Sequence, residues 1–123
     1  MENANTIATQ AAPLTSTAAI AALAALAQES RLAVFRLLVQ TGPDGMAATK
    51  IAEALAIAPS SLSFHLKELA HANLVTASKA GRSIIYAANY PGMHGLLAFL
   101  TENCCAGAPC CVTDPTLPKD ITT

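Results

Sequence analysis

Charge is what this 123-residue chain has least of. Asp, Glu, Lys and Arg make up 12% of it, against about 25% in an ordinary globular domain. The net charge is −1, so no overall basic field draws the chain to nucleic acid. Aromatic residues are 4% and Trp is absent, which excludes a core built on large rings. What is there instead is aliphatic: 53% hydrophobic residues, with 27 alanines among them. Helices in such a core must approach closely. The length is that of one domain. A small domain so poor in charge has trouble covering its apolar surface alone, and pairing with a second copy is a natural remedy.

Long hydrophobic runs are missing too. The longest, "AAIAALAALA" at residues 18–27, is about half of the roughly 20 residues that cross a membrane. The residues before it hold Glu2 and neither Lys nor Arg, so the basic start of a secretory signal is absent. The expectation is a cytoplasmic protein, without a membrane partner, whose thiols stay reduced. Cysteine is absent from the first 103 residues. All four, Cys104, Cys105, Cys110 and Cys111, fall within "NCCAGAPCC" at 103–111.

Residues 1–16 lack sustained periodicity and contain Pro13, which predicts a flexible N-terminal arm. Residues 17–27 are helix-prone, with Ile20, Leu23, Ala24 and Leu26 as the apolar stripe. A second helix is expected from about Glu29 to Gln40, on the repeat of Leu32, Phe35, Leu38 and Val39. "TGPDG" (41–45) stops it. "ATKIAEALA" (48–56) places Ile51, Ala52 and Leu55 on one face. After the break "IAPSS" (57–61), a helix from Ser60 to about His71 carries Leu62, Leu66 and Leu69. Two short amphipathic helices with so tight a break form a helix-turn-helix candidate. "LVTASKAGRSIIYAA" (74–88) reads as a hairpin turning at Gly81, "YPG" (90–92) ends it, and a last helix is expected over Met93–Asn103. The cysteines follow it directly.

The expected architecture is mainly α with a small β-hairpin, in the order α-α-α-α-β-β-α. It resembles the winged helix-turn-helix metal sensors of the arsenical-resistance repressor family (ArsR/SmtB). The likeness rests on "LAALAQESRLAVFRLL" (23–38) with Arg31, on "KIAEALAIAPSSLSFHLKELAHANLV" (50–75) and on the wing "GRSIIY" (81–86). It covers roughly residues 20–105. The domain layout is then an arm (1–16), a DNA-binding and dimerisation domain (17–103), and a Cys-rich segment with a tail (104–123). The resemblance implies a homodimer, joined through its first and last helices, on double-stranded operator DNA with an inverted repeat. Two departures stand out. The metal-binding Cys-x-Cys of many members is missing from "MAATKIAEAL", and a frequent histidine pair is here Phe64-His65.

On the helix face opposite the leucines stand Ser60, Ser61, Ser63, Phe64 and Lys67. Hydroxyls and free amides near a helix N-terminus suit phosphates or base edges. Phe64 offers no hydrogen bond but can touch a thymine methyl. His65 either faces DNA or braces the helix packing. In the wing, Lys79 and Arg82 are candidate phosphate contacts. The plainer alternatives are a helical bundle with a capping serine pair and an ordinary charged turn.

The cysteines admit several readings. A disulfide staple is out of place among reduced thiols, and adjacent Cys104 and Cys105 meet its geometry poorly. A catalytic thiol wants a nearby cation or a helix N-terminus, whereas these follow a helix C-terminus, where the dipole opposes a thiolate. No enzymatic activity is expected. Soft thiolates select soft ions. As(III) and Sb(III) favour three sulfurs in a pyramid, and zinc favours four ligands in a tetrahedron. The spacing CC-x4-CC differs from structural zinc knuckles. Cys104, Cys105 and Cys110 are the expected three ligands, with Cys111 able to replace or assist Cys110. The family likeness then implies a repressor released from DNA by As(III) or Sb(III). The alternatives are a sensor of oxidation or of Zn(II) or Cd(II) on the same fold, a thiol-based arsenical reductase or metallochaperone, and a structural zinc module.

Overall fold

The computed structural model describes residues 14–107. Most of the expected arm, the tail, and Cys110 and Cys111 lie outside the described residues. Helix α1 (Ser16–Leu26) starts at Thr15, whose hydroxyl accepts the Ala18 N–H at 3.1 Å. This satisfies one of the donors that a helix start leaves over. The stripe expected to be buried on α1 is not the one that packs. Ala19, Ala22 and Ala25 face the core, while Ile20 is 66% and Leu23 42% exposed. A helix that is apolar all round gives periodicity nothing to choose between, so packing decides. The small face lets α1 settle against α2 (Glu29–Thr41) and α4 (Pro59–His71).

The Gln28 side chain caps α2 by accepting the Arg31 N–H at 2.9 Å. The helix buries Val34, Phe35 and Leu38. Leu32, expected in the inward repeat, is 43% exposed. A two-residue strand, β1 (Met46–Ala47), follows and was not expected from the sequence. It pairs antiparallel with β3 (Ser83–Ala88), Met46 opposite Tyr86 and Ala47 opposite Ile85. Gly45, with φ of +77°, makes this pairing possible: a Cβ there would collide with the Tyr86 carbonyl.

Helix α3 (Ala48–Leu55) buries Ile51 and stops at Ala56, in the left-handed conformation. Three residues later α4 begins at Pro59, one residue ahead of the expected start. Proline suits a first helical position because its missing N–H has no partner there in any case. Leu62, Leu66 and Leu69 are all buried, as their spacing predicts. Strands β2 (Val75–Ala80) and β3 pair in register from Val75–Ala88 to Ala80–Ser83, around a two-residue turn. Gly81, at +64°, supplies the positive φ such a turn needs. The sheet order is β1-β3-β2.

The last helix, α5, spans Tyr90–Leu100 and not Met93–Asn103. Asn89 decides its start. Its Oδ1 accepts the Gly92 N–H at 3.2 Å, and its Nδ2 donates to the Asn73 carbonyl at 2.8 Å. "YPG" therefore opens the helix instead of only closing the hairpin. Tyr90 fastens it by donating its hydroxyl to the Val39 carbonyl at 2.9 Å. At the other end, Leu100 is followed by a turn before Cys104, so the thiols do not continue the helix. Among the described residues no single helix is long and apolar enough to cross a membrane, and α1 and α2 bend by 101° where they meet.

Candidate nucleic-acid interface

The leucine face of α4 fixes what its other face presents. With Leu62, Leu66 and Leu69 inward, Ser60, Ser61, Ser63, Phe64 and Lys67 are all exposed. Ala58, which precedes the helix, contributes no capping side-chain bond. The first-turn amides of α4 are thus left for an external acceptor, and the helix dipole favours an anionic one. Between α3 and α4 lies an open cleft of about 400 Å³, with Thr49, Glu53 and Ser63 among its lining residues. The hairpin extends the exposed surface: Thr76 to Ala80 are exposed along β2, and so are Lys79 and Arg82, the two expected wing contacts.

His65 stands apart from the rest of the expected set. It is half-buried, and its Nδ1 lies 3.5 Å from Nη1 of Arg31. The same guanidinium donates from Nε to the Ala25 carbonyl at 2.7 Å, at the end of α1. Of the two roles open to His65 in the sequence, this geometry matches the brace. Its ring also meets Phe64 edge-on, with centroids 5.9 Å apart and planes at 62°. Phe64 itself is 56% exposed. In the sequence Arg31 is a point of resemblance and nothing more. Its place between two helices is a tertiary fact.

The structure brings Cys104 and Cys105 together by adjacency, the first half-buried and the second exposed. Around them Asn103, Cys105, Ala106 and Gly107 all have positive φ. This tight left-handed reversal follows the end of α5. Among the described residues no three His, Cys, Asp or Glu side chains converge on one point. The two adjacent thiols are soft donors suited in kind to a thiophilic ion.

Residues 26–76 match a family model described as a helix-turn-helix domain. No curated protein matches the sequence. Several solved structures do. An ArsR-like transcriptional regulator from Rhodococcus sp. RHA1 is 26% identical over 68% of this chain and 76% of its own, with a TM-score of 0.61. A "possible transcriptional regulator for arsenical resistance" is 29% identical over 63% of this chain and 78% of its own, with a TM-score of 0.56. The homodimeric winged helix-turn-helix domain of Mb0332 from Mycobacterium bovis shares the fold at 22% identity, over 82% of this chain and 85% of its own, with a TM-score of 0.55. The matched stretch runs from the end of α1 through α4 into the wing, and with that exposed face and that pairing of hairpin to β1 the chain carries a helix-turn-helix domain and is similar to winged helix-turn-helix transcriptional regulators of the ArsR type.

Proposed function

We propose that the protein is a repressor that binds an inverted-repeat operator as a homodimer and is released when As(III) or Sb(III) binds its C-terminal cysteines. The observation that carries this reading is the placement of the thiols. They lie just beyond α5, a helix that leaves Leu97 52% and Leu100 53% exposed. Helix α1 packs against α5 and leaves Ile20 and Leu23 exposed in its turn. These are the side chains a second copy would cover, and the Mb0332 domain is a homodimer of this fold.

Each protomer presents one recognition helix and one wing, so a two-fold dimer reads two half-sites about one helical turn apart. Ser60, Ser61, Ser63 and the open amides of α4 meet phosphates or base edges, Lys67 adds charge, and Lys79 and Arg82 hold the flanking backbone. With about three phosphates neutralised per protomer, the dimer's log–log salt slope is about −5. Cys104 and Cys105 would supply two sulfurs to the ion and Cys110 or Cys111 a third, while the ion supplies soft Lewis acidity. Binding beside an interface helix reorients the two reading heads relative to each other. Moving such an equilibrium from 99:1 to 1:99 takes roughly 5.5 kcal/mol of differential affinity. Each thiol loses its proton on ligating: as an As–S bond forms, an As–OH bond of arsenous acid breaks, and the proton leaves with the hydroxide as water.

The test is a fluorescence-anisotropy titration of an operator duplex with As(III), Sb(III), methylarsenite, Zn(II) and Cd(II) in turn. It is repeated for Cys→Ser at positions 104, 105, 110 and 111. The expected result is release by the trivalent metalloids and loss of release on replacing Cys104 or Cys105. Release by none of these ions sinks the sensor reading, and a salt slope near zero sinks the DNA-binding one.

A further inference from the structure

We propose that Phe64 reads a thymine methyl in each half-site, with Arg31 and His65 as the positioning residues that hold its ring in place. The inference rests on the operator-binding reading above. Ser60, Phe64 and Lys67 stand at i, i+4 and i+7 and so form one line along the outer face of α4. Two of the three are polar and suit the phosphate-rich wall of a groove. The third is a phenyl ring, 56% exposed to water, in a chain with only three phenylalanines. Such a ring can accept or donate nothing. What it can recognise in a major groove is the one apolar feature there, the C5 methyl of thymine.

An exposed ring on a mobile side chain discriminates weakly, since ordering it on binding costs conformational entropy. Here the ring is already held. His65 meets it edge-on at 5.9 Å, an arrangement aromatic pairs favour. His65 is held in turn by Arg31, 3.5 Å from its Nδ1. For that nitrogen to accept, the neutral ring carries its proton on Nε2. Arg31 is anchored through Nε to the Ala25 carbonyl of α1 at 2.7 Å. The planar guanidinium fork serves both partners at once, which a lysine ammonium on a flexible stem does not reproduce. A line of contacts therefore runs from the end of α1 to the reading face.

The experiment uses the full chain and a duplex recovered by in vitro selection with it. Each thymine is replaced by deoxyuridine, symmetrically in both half-sites, which removes a methyl and nothing else. At one symmetric position the wild type is expected to lose about fourfold per methyl, and so about fifteenfold for the pair. Phe64→Ala binds the thymine duplex more weakly and no longer distinguishes the two bases. Arg31→Lys and His65→Ala shrink the thymine-to-uracil ratio but leave the salt slope unchanged, a combination that general loss of fold does not produce. Circular dichroism melts identify any variant that fails to fold, and the other positioning variant then carries the test. A ratio near one at every position, or a ratio that survives Phe64→Ala, overturns the reading role. A ratio untouched by both Arg31→Lys and His65→Ala overturns the positioning role. If the wild type selects no duplex at all, the operator-binding reading fails and this inference with it; salt-dependent binding blind to every methyl overturns this inference alone.

Discussion

Helices α1 and α4 each bury one face, yet they sort their large side chains in opposite directions. Helix α4 keeps Leu62, Leu66 and Leu69 inside and turns serines, Phe64 and Lys67 out. Helix α1 keeps Ala19, Ala22 and Ala25 inside and turns Ile20 and Leu23 out. The first pattern belongs to a helix that finishes its packing within one protomer and offers its other face to a polar partner. The second belongs to a helix whose inner contact is close but thin, and whose larger apolar surface still needs covering. One helix thus completes its packing within the protomer, and the other leaves the apolar face that the proposed dimer would cover.

The strongest way to break this comparison is to remove an inner leucine of α4. Leu66→Ala leaves a cavity in the centre of the core and should destabilise the fold by about 2–5 kcal/mol, read by urea denaturation. Adding volume to α1 comes next. Ala22 is 4% exposed, so Ala22→Leu overpacks the seat of α1 and should cost about 1–3 kcal/mol in the same assay. Replacing Leu23 by Ser tests the outer face instead. Completing the burial of this half-exposed side chain contributes about 1 kcal/mol, and a two-fold interface contains it twice. Self-association should weaken about thirtyfold by analytical ultracentrifugation, with the protomer fold retained. An unchanged association constant would remove α1 from the interface.

The smallest effects sharpen the contrast at the helix starts. Thr15→Ala removes the side-chain cap of α1 and should cost about 1 kcal/mol. Ala58→Asp does the reverse on α4, which has no side-chain cap. It should add stability of about 1 kcal/mol yet weaken operator binding, because a carboxylate then occupies the place of a phosphate. A variant gaining both stability and DNA affinity would mean that α4 does not point its N-terminus at the backbone.

The same contrast explains what could be read in advance. The leucine spacing of α4 names its buried face, because every residue between the leucines except Phe64 is polar. In "STAAIAALAAL" no polar residue follows Thr17 to mark an outside, so spacing alone does not pick out the Ala19, Ala22 and Ala25 face that packs. Strand β1 has two residues, too few for any alternation to show. Pro91 and Gly92 read as a break and set the expected start of α5 too late, although Asn89 three residues before Gly92 is a capping signal. Ser60, Ser61, Ser63, Phe64 and Lys67 stand exposed on the face of α4 opposite its leucines, and Lys79 and Arg82 are exposed in the wing. The tie between His65 and Arg31 spans 34 positions of chain, and nothing local announces it.

The short pairing of β1 with β3 has a mechanical meaning. Met46 and Ala47 stand immediately before α3, and their partners Tyr86 and Ile85 lie in the inner strand of the wing. The wing is thereby riveted to the root of the reading head, with Gly45 shaved down to admit the rivet. A clamp built this way grips with a stiff jaw: hairpin and recognition helix swing together. In the proposed dimer, loosening the grip on an operator would then fall to the hinge between two such jaws, of which a single protomer holds only half.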